Sequence, residues 1–285
     1  MKLIRFGEFR QEKPGVLLDS GVRKDLSGAF SDWDSDFFDN DGLAKLADIL
    51  ASRGDELPEV PADARLGSCV ARPYKVVCIG LNYEEHARES GLEIPLEPIV
   101  FFKATNTVIG PYDNVTIPRN GEKTDWEVEL GVIIGKTASY VASREAAADH
   151  IAGYCISHDV SERAFQLERG GQWVKGKSCN TFNPLGPFMA TPDELADPMN
   201  LSMSLDVNGV RKQSGNTNTM IFDVCEIIRY LSQFFTLEPG DVLNTGTPSG
   251  VGLGMDPPEF LSEGDVVELA VEGLGSQRQT CVAAE

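Results

Sequence analysis

The chain has no apolar run near the ~20 residues that a membrane-spanning helix needs. VVCIGL, PIVFF and LGVIIG are far shorter. The N-terminal stretch MKLIRFGEFRQEKPG has no apolar signal-peptide core. Six cysteines stand at 69, 78, 155, 179, 225 and 281, and none forms a CxxC pair. That spacing excludes a zinc knuckle or a thioredoxin-type motif. A cytoplasmic protein with reduced thiols is the expectation. Positive charge is scarce: 25 Lys and Arg face 44 Asp and Glu, a net charge of −19. A nucleic acid or an anionic membrane needs a basic surface, so neither is an expected partner. A small anionic substrate is not excluded, because a metal and a few Lys or Arg make one site locally positive. There is no internal repeat and no low-complexity segment.

What is present describes a globular protein, 41% hydrophobic and 8% aromatic over 285 residues. That length suits one large domain, or one domain with a small appendage. Residues 2–8 and 15–19 read as strands around a Pro-Gly turn, and 40–53 as a helix with Asp41 as its N-cap. The polar, proline-containing DELPEVPADARLG reads as a linker. The boundaries expected are a small N-terminal domain over 1–68 and a catalytic domain over 69–285. In the second unit KVVCIGL reads as a buried strand, NYEEHARESG as a short helix ended by Gly91, and 143–152 as a helix. A hairpin is expected over 201–213 around Asn208-Gly209, and a helix of about four turns in MIFDVCEIIRYLSQFF. Strands and helices mix without a steady βαβ rhythm. The fold class expected is α+β with a curved or closed sheet.

The most informative segment is TDWEVELGVIIG. Glu127 and Glu129 alternate with Trp126, Val128 and Leu130, so the segment reads as a strand with both carboxylates on one face. Two such charges repel unless a cation or proton lies between them. Their oxygens are hard ligands suited to Mg²⁺, Mn²⁺ or Ca²⁺. Asp159, in GYCISHDVSER, is a third carboxylate from another element. Read alone, the pair also describes the outer face of a half-solvated strand.

Other constellations add chemistry. His86 and Glu89 share a helix face at a spacing of three, where a carboxylate orients an imidazole and raises its basicity. Arg163 and Gln166 face one pocket if a helical turn follows Asp159. GGQWVKGKS contains a formal G-x₄-G-K-S match, but a charged helical stretch precedes it and a Pro- and Gly-containing stretch follows. A phosphate loop needs a buried strand before and a helix after, so the nucleotide reading fails. Lys177 remains as a cation for a substrate oxygen. NTGTPSGVGLG offers backbone amides and the Thr245 and Thr247 hydroxyls for a carboxylate.

The succession GLNYEEHARESG, TDWEVELGVIIGK, GYCISHDVSER, GKSCNTFNPLGP and PGDVLNTGTPSGVG resembles the fumarylacetoacetate hydrolase family over roughly residues 73–283. VSERAFQLERGGQWVKGKS and EIIRYLSQFFTLEPGDVL are closest in texture to its 2,4-didehydro-3-deoxy-L-rhamnonate hydrolase branch. The resemblance implies a mixed β-roll or distorted barrel with flanking helices, a small N-terminal α+β appendage and a homodimer. It implies metal-ligand roles for Glu127, Glu129 and Asp159, with Mg²⁺ or Mn²⁺ as cofactor. It gives His86 and Glu89 as a catalytic dyad on a lid, Lys177 as the lysine near the metal, and Arg163, Gln166 and Thr247 as substrate contacts. Asn180 departs from the family's KS-x-D-TF pattern, which puts a supporting charge near Lys177 in doubt. The activity implied is hydrolysis of a carbon–carbon bond in a 2,4-diketo acid, such as a 2,4-diketo-3-deoxy derivative of L-rhamnonate or L-fuconate. Acylpyruvate or fumarylpyruvate hydrolysis, oxaloacetate decarboxylation and diacid isomerisation stay open. A non-catalytic protein with a structural cation is the reading from another class, and it leaves the His86–Glu89 pair without a purpose.

Overall fold

The computed structural model of the chain describes residues 1–89 and 91–285. It opens on an antiparallel meander, β1 (Lys2–Phe6), β2 (Lys13–Leu17) and β3 (Arg23–Asp25), which buries Leu3, Ile4 and Val16. Residues 7–12 make the reversal, so the Pro-Gly pair expected as the turn lies inside β2. Close packing asks for glycine there, since a Cβ on Gly15 would sit 2.7 Å from the Lys24 carbonyl oxygen. Two helices follow, α1 (Ser35–Asp39) and α2 (Gly42–Arg53). Asp41 occupies the N-cap position of α2 with a left-handed φ of 55°, and its side chain makes no capping bond. Trp33 is fully buried beside these helices, its indole N–H donating to the Ile4 carbonyl at 2.8 Å. The expected linker runs back along the meander through bridges of Glu59 to Lys24 and Leu66 to Phe6.

Next come β4 (Val76–Gly80), α3 (Glu84–Glu89), β5 (Ile99–Lys103), β6 (Val108–Ile109), β7 (Val115–Ile117), β8 (Thr124–Asp125) and β9 (Val128–Ile134). The helix expected over 143–152 is a single turn, α4 (Arg144–Ala147), and a 3₁₀ turn. Ile151 already belongs to β10 (Ile151–His158), because its backbone is taken into the ladder with β9. β11 (Ser161–Glu162), α5 (Arg163–Leu167), α6 (Val174–Lys177) and β12 (Asn183–Ala190) follow. The hairpin β13 (Ser202–Val207) and β14 (Val210–Asn216) turns on Asn208 and Gly209, both at positive φ as a two-residue hairpin turn requires. α7 (Val224–Leu231) has about two turns, not four. The residues before it are held extended by Asn82, whose backbone carbonyl accepts from Ile221 N–H and whose side chain accepts from Phe222 N–H. Asp223 then caps the helix. The chain closes with β15 (Val242–Asn244), β16 (Val266–Val271) and β17 (Gly275–Ala283).

The fold is α+β, as expected, and dominated by sheet. A ten-stranded mixed sheet runs β3-β2-β1-β12-β10-β9-β15-β4-β5, with β6 added on β12. A five-stranded sheet runs β14-β13-β16-β17-β7, and β11 pairs β8. The path of the large sheet ends at β3 and β5, which do not pair, so it does not close into a barrel. β1 pairs directly with β12, which makes the N-terminal meander part of the same sheet as the site. One core cluster joins the two sheets through residues such as Leu130, Leu205, Val267 and Leu269, and a second lies under α1 and α2. β9 is buried along its whole length, so the half-solvated face that Glu129 could have occupied does not exist. Among the described residues no helix is long and apolar enough to cross a membrane.

Candidate active site

The site lies where β9 begins and β10 ends. Glu129 pairs in register with Ser157, and the Asp159 amide donates to the Glu127 carbonyl at 3.0 Å. Antiparallel pairing therefore brings Asp159 beside the two glutamates. One oxygen from each of Glu127, Glu129 and Asp159 lies within 4.8 Å of the others, and all three residues are buried. Lys177 Nζ donates to Glu127 Oε2 at 2.8 Å and to Asp159 Oδ2 at 3.0 Å. Lys103 Nζ pairs with Asp159 Oδ1 and donates to the Val160 carbonyl at 3.0 Å. Arg163 donates to Glu127 Oε1 at 2.7 Å, Asp125 Oδ2 at 2.8 Å and Gln166 Oε1 at 3.1 Å.

These contacts split the carboxylates electrostatically. Burial works against the charge of Glu127, but Lys177 and Arg163 outweigh it and hold that carboxyl down to about 2. Burial pushes Glu129 well above the usual carboxylate range, and Asp159 and Glu127 push it further. Its hydrogen-bond donor is the Gly246 amide at 2.8 Å. Burial also lowers the proton affinity of Lys177, yet Asp159 and Glu127 raise it overall, so it stays an ammonium. Glu129 is therefore the carboxylate of the pair whose charge its surroundings compensate least. Three convergent carboxylates, one short of a cationic partner, fit a hard divalent ion.

The Gly-rich stretch after β15 does hold carboxylates through its amides, and they are the protein's own. Gly246 donates to Glu129, Gly250 to Glu89 Oε2 at 2.8 Å, and Gly252 and Leu253 to Asp125 at 2.7 and 3.0 Å. The other oxygen of Glu89 meets His86 Nδ1 at 2.7 Å. With Nδ1–H donating to that carboxylate, Nε2 carries the lone pair. The Thr247 hydroxyl donates to the Val128 carbonyl at 2.9 Å and accepts from Gln213 Nε2 at 2.8 Å.

A cavity of about 460 Å³ gathers eight of the nine residues singled out in the sequence: His86, Glu89, Glu127, Glu129, Arg163, Gln166, Lys177 and Thr247. Asp159, the ninth, is fully buried and lies off the cavity wall. Lys177 sits at the end of α6, and a strand follows, so the G-x₄-G-K-S match has no helix behind it. Asn180 is exposed and accepts from Asn106 Nδ2 at 2.7 Å. The charged partners of Lys177 come from Glu127 and Asp159 instead. Sequence reasoning missed Lys103 and Asp125. The alternation that exposes Glu127 and Glu129 runs one step further back to Asp125, and that signal could have found it.

Residues 75–282 match the family described as fumarylacetoacetate (FAA) hydrolase C-terminal. The chain belongs to the fumarylacetoacetate hydrolase family. A Burkholderia lata protein, named as a hydrolase, is 50% identical over 280 residues, which is 98% of both chains. Among solved structures of the family fold, maleylpyruvate hydrolase from Sphingobium sp. SYK-6, in complex with manganese(II) and pyruvate, superposes with a TM-score of 0.82 at 28% identity over the full length of both chains. A Mycobacterium abscessus chain described as a probable 2-hydroxyhepta-2,4-diene-1,7-dioate isomerase gives 0.82 at 31%, again over both full lengths. The family thus includes relatives named for hydrolysis and for isomerisation, and none of these three names a sugar acid.

Proposed function

We propose that the chain is a divalent-metal-dependent hydrolase that cleaves a carbon–carbon bond in 2,4-diketo acids, releasing pyruvate and a second acid. One observation carries this reading: a single cavity holds both a buried three-carboxylate cluster and an imidazole whose Nδ1 is engaged by Glu89. The manganese and pyruvate held by the Sphingobium neighbour support it.

Glu127, Glu129 and Asp159 would hold Mg²⁺ or Mn²⁺, which would supply Lewis-acid polarisation of the keto acid and an electron sink for the enolate that departs. His86 Nε2 takes a proton from water, and the resulting hydroxide adds to the C4 carbonyl. Glu89 holds the ring and balances the imidazolium. An ammonium has three N–H groups, and the two Lys177 contacts above leave one for the C4 oxyanion. Collapse breaks the C3–C4 bond. The electron pair stays on C3 of the pyruvate enolate, which takes the proton held by the His86 imidazolium, and C4 leaves as a carboxylic acid. Arg163, Gln166 and Thr247 line the same cavity as substrate contacts. Sequence texture alone supports the sugar-acid end of this substrate range.

The test is pyruvate release from acylpyruvates, diketo sugar acids and oxaloacetate, with and without Mg²⁺ or Mn²⁺. Metal-dependent release from diketo acids is expected. Release from oxaloacetate alone would replace hydrolysis by decarboxylation. The name of the Mycobacterium neighbour favours isomerisation as the second reading. An ultraviolet shift of an unsaturated diacid without pyruvate release would select it.

A further inference from the structure

The cavity is charged on one side and apolar over much of the rest. Phe101, Trp173, Leu92, Leu167, Val251 and Leu253 form that wall. It begins next to the reacting centre, for Lys177 Nζ lies 5.0 Å from the centre of the Phe101 ring. The Trp173 ring meets Phe101 edge-on, with centroids 5.5 Å apart. Trp173 is held from two sides. Its carbonyl accepts the Lys177 N–H at 3.1 Å, so the ring and the lysine ride on one helical turn. Its ring packs over Gly80, where a Cβ would come within 2.8 Å of a ring carbon. Leu92 and Leu167 remain 51% and 47% exposed. Apolar side chains gathered at a cavity and left in water mark a surface that a ligand covers.

The donors the cavity has left, two Arg163 N–H groups and the Gln166 amide, lie beside Glu127 at its charged end and not along the apolar wall. The Thr247 hydroxyl is donated to Val128, and Arg163 spends three of its N–H groups on Asp125, Glu127 and Gln166. A polyhydroxylated tail would set its hydroxyls against carbon and leave them unpaired.

We propose that the acyl end of the substrate, beyond C4, is an apolar and planar group such as an aryl or unsaturated alkyl chain, seated against Phe101 and Trp173. This rests on the diketo-acid reading. It replaces the hydroxylated tail with one that the wall can desolvate.

The experiment compares kcat/KM of the Mn²⁺-loaded enzyme for benzoylpyruvate, acetylpyruvate and 2,4-diketo-3-deoxy-L-rhamnonate. Benzoylpyruvate should exceed acetylpyruvate by roughly tenfold or more, the discrimination that a well-fitted apolar pocket gives, with the sugar acid below both. Trp173→Ala should lower the benzoyl-to-acetyl ratio by about fivefold or more, and Trp173→Phe should retain most of it, because a ring still faces Phe101. A ratio is read within each variant, so partial loss of folded protein does not move it. Calorimetry of phenylpyruvate against pyruvate binding to the Mn²⁺-loaded enzyme reads the wall without turnover, and phenylpyruvate should bind about tenfold more tightly. A sugar acid that is cleaved best, or a ratio unmoved by Trp173→Ala, overturns the proposal and leaves the hydrolase reading intact. No pyruvate from any diketo acid, with the phenylpyruvate preference preserved, overturns the hydrolase reading and upholds the apolar seat. Loss of that preference overturns the seat.

Discussion

Glu127 and Glu129 are the same residue type two positions apart, and their surroundings make them opposites. Arg163 and Lys177 both lean on Glu127, whereas Glu129 meets a backbone amide. Glu127→Gln should strip two buried cations of a partner and cost on the order of 3–5 kcal/mol in the metal-free protein. Glu129→Gln removes a carboxylate that burial and its neighbours disfavour, so urea unfolding should find the metal-free protein at least as stable as wild type. Calorimetry should find Mn²⁺ binding weakened in both by more than the ~10–100-fold that loss of an outer-shell partner costs. Equal stabilities would refute the asymmetry. The second residue-scale prediction concerns the base. His86→Asn should lower kcat by about 10²–10⁴-fold, the usual worth of a positioned base, with Mn²⁺ affinity unchanged. Pyruvate-release kinetics and calorimetry check the two halves separately. The carboxylate pair and the His86–Glu89 pair were legible because each is a short-range spacing. Lys103 was not. It ends the apolar strand β5, and only the sheet order places its fully buried ammonium against Asp159.

At the scale of elements, the segment expected as a lid divides in two. Its first half is anchored: Asn82 bonds to Phe222 and Thr245, and Tyr83, His86 and Ala87 are buried. Its second half is tied at its ends, by the Gly91 and Leu92 amides to Arg88 and Ala87 and by the Tyr230 hydroxyl to Glu97, with Leu92, Ile94 and Leu96 exposed; Ser90 lies outside the described residues. Hydrogen exchange should therefore be slow over 82–89 and fast over 93–96, because protection follows buried contacts. Oxalate with Mn²⁺ should slow the second half alone. Uniform exchange across both halves would contradict this. The same tertiary influence explains where helix lengths were misread. The apolar periodicity of MIFDVCEIIRYLSQFF is real over α7, but Asn82 captures the residues before Asp223. The stretch 143–152 loses its end to the β9 ladder. Sequence periodicity reports which residues want burial, and it cannot report which backbone groups a distant strand or side chain will claim.

At the scale of the whole molecule, stability should fall on the alkaline side. Burial, with Asp265 adding, pushes the Cys281 thiol up to about 12 from an ordinary 9.0. Such a group contributes stability that is complete below pH 9.0 and lost as pH rises toward about 12, since the unfolded chain gives up its proton first. Between pH 9 and 10.5 the loss from this thiol alone should be about 1.5 kcal/mol. Urea midpoints across that range should show a flatter decline in Cys281→Ala than in wild type. We propose a homodimer, and the edge strand β5, with Phe102 40% exposed and its ring 5.3 Å from that of half-buried Phe235, is the surface that supports it. Sedimentation velocity should then give twice the 31.0 kDa of the chain, and a monomer at micromolar concentration would refute it. The α+β class and the succession of site motifs were legible along the chain, because each is written in adjacent residues. The placement of the N-terminal strands was not, because the pairing of β1 with β12 joins residues nearly 190 positions apart. That seam bears on anyone who would shorten the gene. β12 is buried along its entire length, and β1 covers the end of one of its edges, at Met189 and Ala190. A fragment starting at residue 69 would bare a hydrophobic strand edge and offer it to its neighbours as a template for aggregation. Swapping the first 68 residues between relatives therefore means recutting the sheet.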